Sequence, residues 1–379
     1  MKTIKEMITD HLIKFQVPKH INWLYTIGSV LILWFVLQIA TGISMAIHYK
    51  PSVKLAFLSV HRTERLFKYG WLIRNMHICG SSILFLALYL HMFRGVYYKC
   101  YSGSRKIIWY TGNIIHFIII LIGFFGSALG WSQISYWAVV VITNFIGSIP
   151  VIGKYLKTIL LGGYIVGDPT LRRFFIFHCI LPFVCLLFII WHLILVHARG
   201  QTSTIEGRMP ISKSFIDIYP IVIARDIIAC IVMLFIMNVL CLIYPRILRN
   251  KLSYIPADYY TTPSDIESEW YFLPYYAILK TFESKISGVL TITSILLTLT
   301  FIPNIYNIRL PRAISDSYKL HSITAFISLI LLGLMGRCRY SKLVSRLSKL
   351  CVLWYLGYFA LPLGIKLLLF IDKNKAKWI

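Results

Sequence analysis

Long apolar runs separated by short polar segments make up most of the chain. A run of about 20 mainly apolar residues is enough for a helix to cross a bilayer, because a helix rises about 1.5 Å per residue and the hydrocarbon core is about 30 Å thick. The pattern therefore predicts an all-α, polytopic membrane protein with eight transmembrane helices. Polar residues interrupt the seventh and leave its limits poorly defined. The predicted spans are residues 23–47, 73–97, 107–129, 174–197, 222–244, 286–305, 320–335 and 350–371.

Two connections between these runs are long enough to contain structure of their own. Residues 132–161 are moderately apolar and contain Pro150 and several glycines, which predicts interfacial helices lying on the bundle. Residues 245–285 contain four prolines, which predicts an ordered surface loop with short helical turns. The chain is therefore expected to have two parts: residues 1–200 with the first four spans, and residues 201–379 with the other four spans and the loop.

Composition agrees with a membrane location. Of the 379 residues, 58% are hydrophobic and 14% are charged, with a mean hydropathy of +0.72, whereas soluble proteins carry about 25% charged residues. The formal net charge is +25. The basic residues cluster between apolar runs, where they meet anionic lipid headgroups, so nucleic acid is not expected as a partner. They are divided about equally between the two sides, so charge does not orient the bundle.

The eight cysteines are scattered and form no CxxC pair. This spacing argues against a zinc knuckle and a disulfide framework, and the lack of CxxCH argues against covalent c-type haem. The first apolar run has no small-residue cleavage site, so it is expected to remain as a span. Isoleucine far outnumbers alanine, a bias toward AT-rich codons that suggests a small organellar genome.

Four histidines occupy the second and fourth predicted spans, where ionisable residues are costly and are candidates for function. His77 and His91 are 14 residues apart, and so are His178 and His192. Fourteen residues return a side chain to nearly the same helix face about 21 Å further along the axis. Because the second and fourth helices of an up-and-down bundle run parallel, His77 is predicted to face His178, and His91 to face His192.

Two such pairs favour haem over other metal centres. A structural zinc ion takes four protein ligands, whereas two axial histidines suit a six-coordinate haem. The alternative is four unrelated histidines hydrogen-bonded in the core of the bundle. The repeated spacing disfavours it.

Glycines repeat the same spacing in the first and third spans. Gly28 and Gly42, and likewise Gly112 and Gly126, are 14 residues apart. Glycine costs about 1 kcal/mol in a helix interior and tends to occur where another group approaches closely. These glycines are predicted to let a flat macrocycle lie against the backbone. Packing of helices through small residues is the alternative.

Two arginines lie near the predicted ligands. Arg74 and Arg94 are each three residues from a histidine of the second span. They could pair with haem propionates, or extend their guanidinium groups to lipid headgroups.

At these residues the chain resembles cytochrome b, the haem- and quinone-carrying subunit of the cytochrome bc complex (respiratory complex III). The similarity extends from the first span to the eighth and is strongest between Gly28 and Gly200. The segments that resemble the family are YGWLIRNMH (69–77), HMFRG (91–95), ISYWAVVVITN (134–144), LLGGYIVGDPTLRRFFIFHCILPF (160–183) and EWYFLPYYAIL (269–279).

The resemblance implies a four-helix haem-binding bundle in residues 1–200 and two non-covalent b-type haems. His77 and His178 would bind the low-potential haem, and His91 and His192 the high-potential one. It further implies that the chain is the catalytic redox subunit of a quinol–cytochrome c oxidoreductase and is inactive alone. The substrates would be ubiquinol and ubiquinone. In this family quinol is oxidised near the intermembrane space and quinone is reduced near the matrix. The resemblance therefore also implies proton translocation across the membrane.

Four residues match positions of the family's two quinone sites. Glu269 and Tyr276 correspond to quinol-oxidation residues, and quinol oxidation releases protons that a carboxylate can accept. His197 and Asp226 correspond to the quinone-reducing site, where both can hydrogen-bond quinone oxygens. Taken without the resemblance, Glu269 would be a solvated loop acid and His197 an interfacial histidine.

Several neighbouring residues match or depart from the family pattern. Trp137 and Ala138 fall in the quinol-binding segment, with Ala138 where most members have glycine. Arg225 replaces the usual lysine beside the quinone-reducing aspartate, and Gln201 replaces a small hydroxyl residue. Ser268 replaces the proline before Glu-Trp-Tyr, which loosens that turn.

Partners and location also follow from the resemblance. A Rieske iron–sulfur protein, cytochrome c1, other complex III subunits and a second copy of the chain are expected, together with cardiolipin and other anionic lipids bound by the basic loops. The expected location is the mitochondrial inner membrane, multi-pass, with both termini in the matrix.

Two other function classes remain open from the residues alone. The b-haem anchor of a different quinone-linked dehydrogenase would have fewer spans and no acid equivalent to Glu269. A secondary transporter would use buried histidines as proton relays, but such proteins tend to show inverted repeats, and no repeat is found.

Overall fold

The computed structural model describes residues 13–200, 215–264, 266–305 and 312–375, with the backbone alone described at 312–317 and 360–375. Helices dominate this part of the chain, as predicted. They are α1 (Ile27–Ala46), α2 (Ala56–Leu66), α3 (Gly70–Tyr97), α4 (Lys106–Ala128), α5 (Gln133–Gly147), α6 (Gly153–Leu161), α7 (Asp168–Arg199), α8 (Ile221–Leu242), α9 (Leu273–Thr281), α10 (Lys285–Thr300), α11 (Ile302–Ile305), α12 (Arg312–Arg337) and α13 (Lys342–Lys375).

Within the described residues, six helical segments are long and apolar enough to cross a membrane: Trp23–Ala46, Gly70–Tyr97, Gly103–Ala128, Asp168–Arg199, Ile221–Leu242 and Tyr318–Arg337. They correspond to six of the eight predicted spans. The predicted span at 286–305 is instead α10, of 16 residues, followed by the short α11. The predicted span at 350–371 lies within α13. The count of eight therefore stays a prediction.

One departure from an all-α chain is a pair of three-residue strands. β1 (Gln16–Pro18) pairs antiparallel with β2 (Phe215–Asp217), so that Val17 lies opposite Ile216. Val17 is fully buried and packs with Ile21 and the first turn of α8. The pair ties the segment before α1 to the segment before α8, and three-residue strands leave too little alternation for a sequence pattern to predict.

The described chain divides into two compact units. The first comprises Met1–Cys100 and Ile114–Ile266, and the second Tyr101–Asn113 and Glu267–Ile379. The predicted boundary between residues 200 and 201 stays a prediction.

In the first unit, the region predicted to hold interfacial helices contains α5 and α6. Phe125 of α4, Val139 of α5, Leu161 of α6 and Phe174 of α7 form one buried apolar cluster with Ala128. These contacts fix both short helices against the neighbouring long ones.

The long loop is also ordered where it meets α5. The Gln133 backbone N–H donates to the carbonyl oxygen of Ile255 (2.9 Å), and its side-chain amide donates to the carbonyl oxygen of Thr261 (2.8 Å). The Asp258 N–H donates to Gln133 Oε1 at 2.8 Å. The predicted helical turns of this loop are present as a 3₁₀ turn at Lys251–Tyr254 and as α9.

In the second unit, α9 packs closely against α12. A methyl group on Gly336 would lie 2.5 Å from the carbonyl oxygen of Leu273, so only glycine allows this approach. Lys280 Nζ donates to the carbonyl oxygen of Cys338 at 2.7 Å. Pro274 lies in the first turn of α9. Proline is tolerated there because a backbone N–H at that position would have no hydrogen-bond partner within the helix.

Candidate functional site

The structure brings together the first pair of predicted histidines. His77 of α3 and His178 of α7 have ring centroids 6.2 Å apart and ring planes at 84°. Two nitrogen ligands on opposite sides of one metal, each bonded at about 2 Å, have centroids about 6 Å apart. The separation therefore suits one metal held between the two rings.

Hydrogen bonds orient both rings of this pair. His178 Nδ1 lies 2.9 Å from the carbonyl oxygen of Ile122, which can only accept, so Nδ1 carries the proton. His77 Nδ1 lies 2.9 Å from Thr41 Oγ1, and the Thr41 hydroxyl donates to the carbonyl oxygen of Leu37 at 2.7 Å. Nδ1 of His77 is thus also the donor. Such bonds leave the lone pair of Nε2 on each ring available to bind a metal.

The second pair of histidines is also neighbouring. His91 and His192 are close enough to interact electrostatically. Arg94 lies one turn after His91, with Nη2 3.4 Å from His91 Nδ1, and its guanidinium stacks 4.5 Å above the ring of Tyr25. The predicted propionate partner Arg94 is therefore held beside this histidine pair.

Glycines lie opposite the histidines of the first pair. A methyl group on Gly42 of α1 would be 3.2 Å from His77 Cε1, and one on Gly126 of α4 would be 2.5 Å from His178 Cε1. The second distance is shorter than side chains tolerate. Each glycine therefore leaves room for an imidazole ring.

Gly28 stands in the same relation to the second pair. A methyl group on Gly28 would be 3.7 Å from His91 Cε1, which is ordinary van der Waals contact. Gly112 is on α4, 14 residues before Gly126. The repeated glycine spacing thus accompanies the repeated histidine spacing.

Arg74 takes part in an ion-pair cluster. Its guanidinium is buried and contacts the carboxylate of Glu64 on α2. Arg249 Nη1 lies 2.7 Å from the other oxygen of Glu64, and Arg249 also donates to Asn75. Arg74 Nη1 is 3.5 Å from His61 Nδ1. Sequence reasoning singled out Arg74 as a partner of a haem propionate or of lipid headgroups, and it missed Glu64 and Arg249, with which Arg74 forms this cluster.

The predicted quinone-reducing residues His197 and Asp226 each form contacts with other side chains or with the backbone. His197 Nδ1 donates to the carbonyl oxygen of Leu193 at 2.8 Å, and its ring packs on Phe15. Half-buried Asp226 accepts a hydrogen bond from Ser29 Oγ at 2.7 Å. Ser29 lies next to Gly28 and had no sequence signal of its own.

Arg225 and Gln201 complete the predicted set for quinone reduction. Arg225 Nη1 donates to the carbonyl oxygen of Ile21 at 3.0 Å, which directs its guanidinium toward the segment before α1. Gln201 lies outside the described residues.

Glu269 lies in the turn that leads into α9. Burial raises the pKa of its carboxyl group above the usual value, although part of its surface remains accessible. The Glu269 carbonyl oxygen accepts from the Phe272 N–H at 2.8 Å, which fixes the turn. Tyr276 follows within α9, with Lys280 Nζ 5.7 Å from its ring centroid.

Trp137 and Ala138 lie on α5. The Trp137 indole N–H donates to the carbonyl oxygen of Asp258 at 3.2 Å. The ring of neighbouring Tyr136 packs on Tyr259, with centroids 4.8 Å apart. The long loop therefore holds this part of α5 in place.

Two family models match the chain: "Cytochrome b/b6/petB" over residues 12–200 and "Cytochrome b(C-terminal)/b6/petD" over residues 256–356. A cytochrome b of Marchantia polymorpha is 38% identical over 294 residues, which cover 78% of this chain and 72% of that protein. The chain belongs to the cytochrome b family. The resemblance seen in the sequence is therefore confirmed.

Other similar proteins are consistent with the family. The "Cytochrome b/c1" of Bradyrhizobium diazoefficiens is 36% identical over 368 residues, which cover 95% of this chain and 52% of that protein; the chain thus spans about half of that relative. A solved chain of a "Hyperthermophilic respiratory Complex III" superposes with a TM-score of 0.88 at 27% identity, covering 94% of each chain. The fold is therefore that of a complex III chain.

The family implies b-type haem, and the donor set fits that group. Among the described residues, no cluster of three or more histidine, cysteine, aspartate or glutamate side chains could hold a bare metal ion. Each histidine pair would offer two ligands, and a porphyrin would offer the other nitrogen donors that an iron ion takes in haem. The oriented rings of His77 and His178 fit this arrangement.

The glycine contacts predict a graded effect of alanine substitution. Gly126→Ala should disrupt the site at His178 and cost about 1–3 kcal/mol of stability from overpacking, whereas Gly28→Ala should leave the site at His91 nearly intact. Haem content per chain and the thermal midpoint of the purified complex measure both effects. Gly163→Ala is the matched control, because a methyl group there would meet nothing within 4 Å. Equal effects at all three glycines would contradict the contact argument.

Proposed function

We propose that this member of the cytochrome b family is the catalytic redox subunit of a quinol–cytochrome c oxidoreductase. It oxidises ubiquinol near the intermembrane-space face and reduces ubiquinone near the matrix face, coupled to proton translocation. The observation that best supports this is the pair His77 and His178, whose rings are 6.2 Å apart and whose Nδ1 atoms are both committed to hydrogen bonds.

Two haems, when bound, supply one-electron transfer between the two quinone sites. We assign the low-potential haem to His77 and His178, and the high-potential haem to His91 and His192. Thr41 and the Ile122 carbonyl orient the first pair of rings through Nδ1.

The glycines and arginines have supporting roles in this proposal. We assign Gly42 and Gly126 to the first site and Gly28 and Gly112 to the second, where each lets the macrocycle lie against the helix backbone; Gly42 and Gly126 also leave room for the imidazole rings. Arg74 and Arg94 pair with the propionates, because guanidinium groups bind carboxylates in bidentate geometry. Arg94 contacts His91, and Arg74 precedes His77 by three residues on α3.

Quinol oxidation in this proposal depends on Glu269 as the proton acceptor. Each quinol releases two electrons and two protons. A carboxylate whose pKa is raised by burial is a stronger base than a solvated one, so it can take a quinol proton and still release it to water. Tyr276, Trp137 and Ala138 are assigned as quinol-contacting residues.

Quinone reduction consumes two protons on the other side of the membrane. We assign His197 and Asp226 as the groups that hydrogen-bond the quinone oxygens and pass protons inward. Ser29 holds the Asp226 carboxylate. Arg225 supplies a permanent positive charge beside it, and Gln201 is assigned to the same pocket.

The proposed setting is the mitochondrial inner membrane, with both termini in the matrix. The six apolar helical segments and the similarity to a cytochrome b of a plant support it. The similarity to a complex III chain supports association with other subunits of that complex. The specific partners proposed are a Rieske iron–sulfur protein, cytochrome c1, a second copy of this chain, and cardiolipin or other anionic lipids.

Spectroscopy of the purified complex tests the proposal. Reduced-minus-oxidised and pyridine-haemochrome spectra should give two non-covalent b haems per chain, titrating at separate potentials. One haem would contradict one of the two histidine pairs. No haem would overturn the redox assignment and favour a transporter that uses the histidines as proton relays.

A further inference from the structure

The ion-pair cluster at the start of α3 has an uneven charge. Glu64 offers one carboxylate, and each of its oxygens accepts from a different arginine, Arg74 or Arg249. Guanidinium groups remain protonated at any physiological pH. Three charged side chains therefore leave a net charge of +1.

The fourth neighbour adds no charge near neutral pH. His61 Nδ1 lies 3.7 Å from Glu64 Oε2. Burial and the positive charge of Arg74 lower the pKa of His61, so its ring is neutral. Burial acts to raise the pKa of Glu64, but the two arginines outweigh it and the net pKa is lowered, so the carboxylate stays ionised.

This charge is shielded from water. The side chains of Arg74 and Arg249 are 9% and 5% exposed, and that of Glu64 is 19% exposed. Charges in such surroundings act over longer distances than charges at the surface, because the effective dielectric constant is lower.

The positions of Arg74 and Asn75 on α3 place the cluster near the first histidine pair. Arg74 precedes His77 by three residues on α3, so both side chains lie on the same side of the helix, one turn apart. Asn75, which accepts from Arg249, is two residues from His77. Three elements, α2, α3 and the loop after α8, thus meet beside one end of the proposed low-potential site.

We propose that Glu64 is a positioning residue of the low-potential haem site, which fixes the Arg74 guanidinium and, together with Arg249, sets the local charge that tunes the haem potential. The inference rests on the proposed function, because it requires haem at His77 and His178. Glu64 itself touches neither haem nor quinone in this proposal.

Charge arithmetic gives opposite expectations for two variants. Glu64→Gln raises the cluster from +1 to +2, which favours the reduced haem and raises its midpoint potential. Arg249→Gln lowers the cluster to 0 and lowers that potential. The double variant returns to +1 and should lie near the wild-type value. Glu64→Asp keeps the charge and should rescue most of the shift.

Redox titration of the purified complex measures these shifts for both b haems. At the wild-type midpoint, each single variant should change the ratio of reduced to oxidised low-potential haem by about threefold or more, since the effective dielectric constant near a protein surface is about 20. The high-potential haem is the internal control, and its midpoint potential should not change.

The outcomes are distinguishable. The inference would be overturned if the midpoint potential of the low-potential haem shifted in the same direction in Glu64→Gln and Arg249→Gln. It would also be overturned if the potentials of both haems shifted equally, or if neither shifted. If Glu64→Gln does not assemble, Arg249→Gln and the double variant still test the order of potentials. Wild-type complex without a haem at His77 and His178 would instead overturn the proposed function.

Discussion

Replacing His178 with leucine is expected to leave one b haem per chain and to lower quinol–cytochrome c oxidoreductase activity at least about 100-fold. The leucine side chain fills similar volume but offers no lone pair, so only His77 of this pair could still bind the haem iron. In the proposed function, loss of this haem would interrupt electron transfer between the two quinone sites. Haem quantification and steady-state turnover of the purified complex measure the two effects.

His116→Leu is the matched control for this variant. His116 is also a buried histidine in a long apolar helix, 1% exposed, and neither of its ring nitrogens is hydrogen-bonded within the described part of the chain. Removing an unsatisfied polar group is neutral or stabilising. Two haems and normal turnover are therefore expected. Equal haem loss in the two variants would mean that any buried histidine is needed for assembly, and it would remove the basis for the pairing.

Glu269→Gln is expected to lower the turnover of quinol oxidation about 100-fold at neutral pH, since general bases contribute about 10²–10⁴-fold. The amide keeps the shape of the carboxylate but cannot accept a proton from quinol. The content of both haems should be unchanged, because glutamine keeps the size and shape of the side chain and Glu269 is not among the proposed haem ligands. Turnover with excess quinol, together with spectra of the same sample, separates these effects.

The pH dependence of turnover tests whether Glu269 acts as a proton acceptor. Burial raises the pKa of this carboxyl, and only the ionised form accepts a proton. Wild-type turnover should therefore fall as pH decreases through the raised pKa, and the variant should lack this acid limb.

Glu267→Gln is the matched control for the loop acid. Glu267 is two residues away and more exposed, and its carboxylate is 3.9 Å from Arg337 Nε, an exposed pair that contributes at most about 1 kcal/mol. Near-normal turnover and an unchanged acid limb are expected. If both variants lost activity equally, the loop rather than the Glu269 carboxylate would be responsible.

Spacing along the chain, together with the parallel course expected for the second and fourth helices of an up-and-down bundle, predicted the first histidine pair. The 14-residue separations in two helices predict that His77 faces His178, and the rings lie 6.2 Å apart. Helical periodicity is local, so side chains on one face of a long helix can be read directly from the sequence. Long apolar runs likewise predicted the six helices that are long and apolar enough to span, because a bilayer imposes a minimum length.

Contacts between distant segments were decided only by the tertiary structure. Glu64 looks like an ordinary acid of a short amphipathic helix, yet it joins Arg74 and Arg249, which is 185 residues away. Ser29 contacts Asp226 across 197 residues, and the Thr41 hydroxyl orients His77. Neither Ser29 nor Thr41 belongs to a sequence motif. Hydrophobic periodicity assigns a residue to a face of its own helix, but which polar groups meet there depends on how the helices pack, and no single segment contains that information.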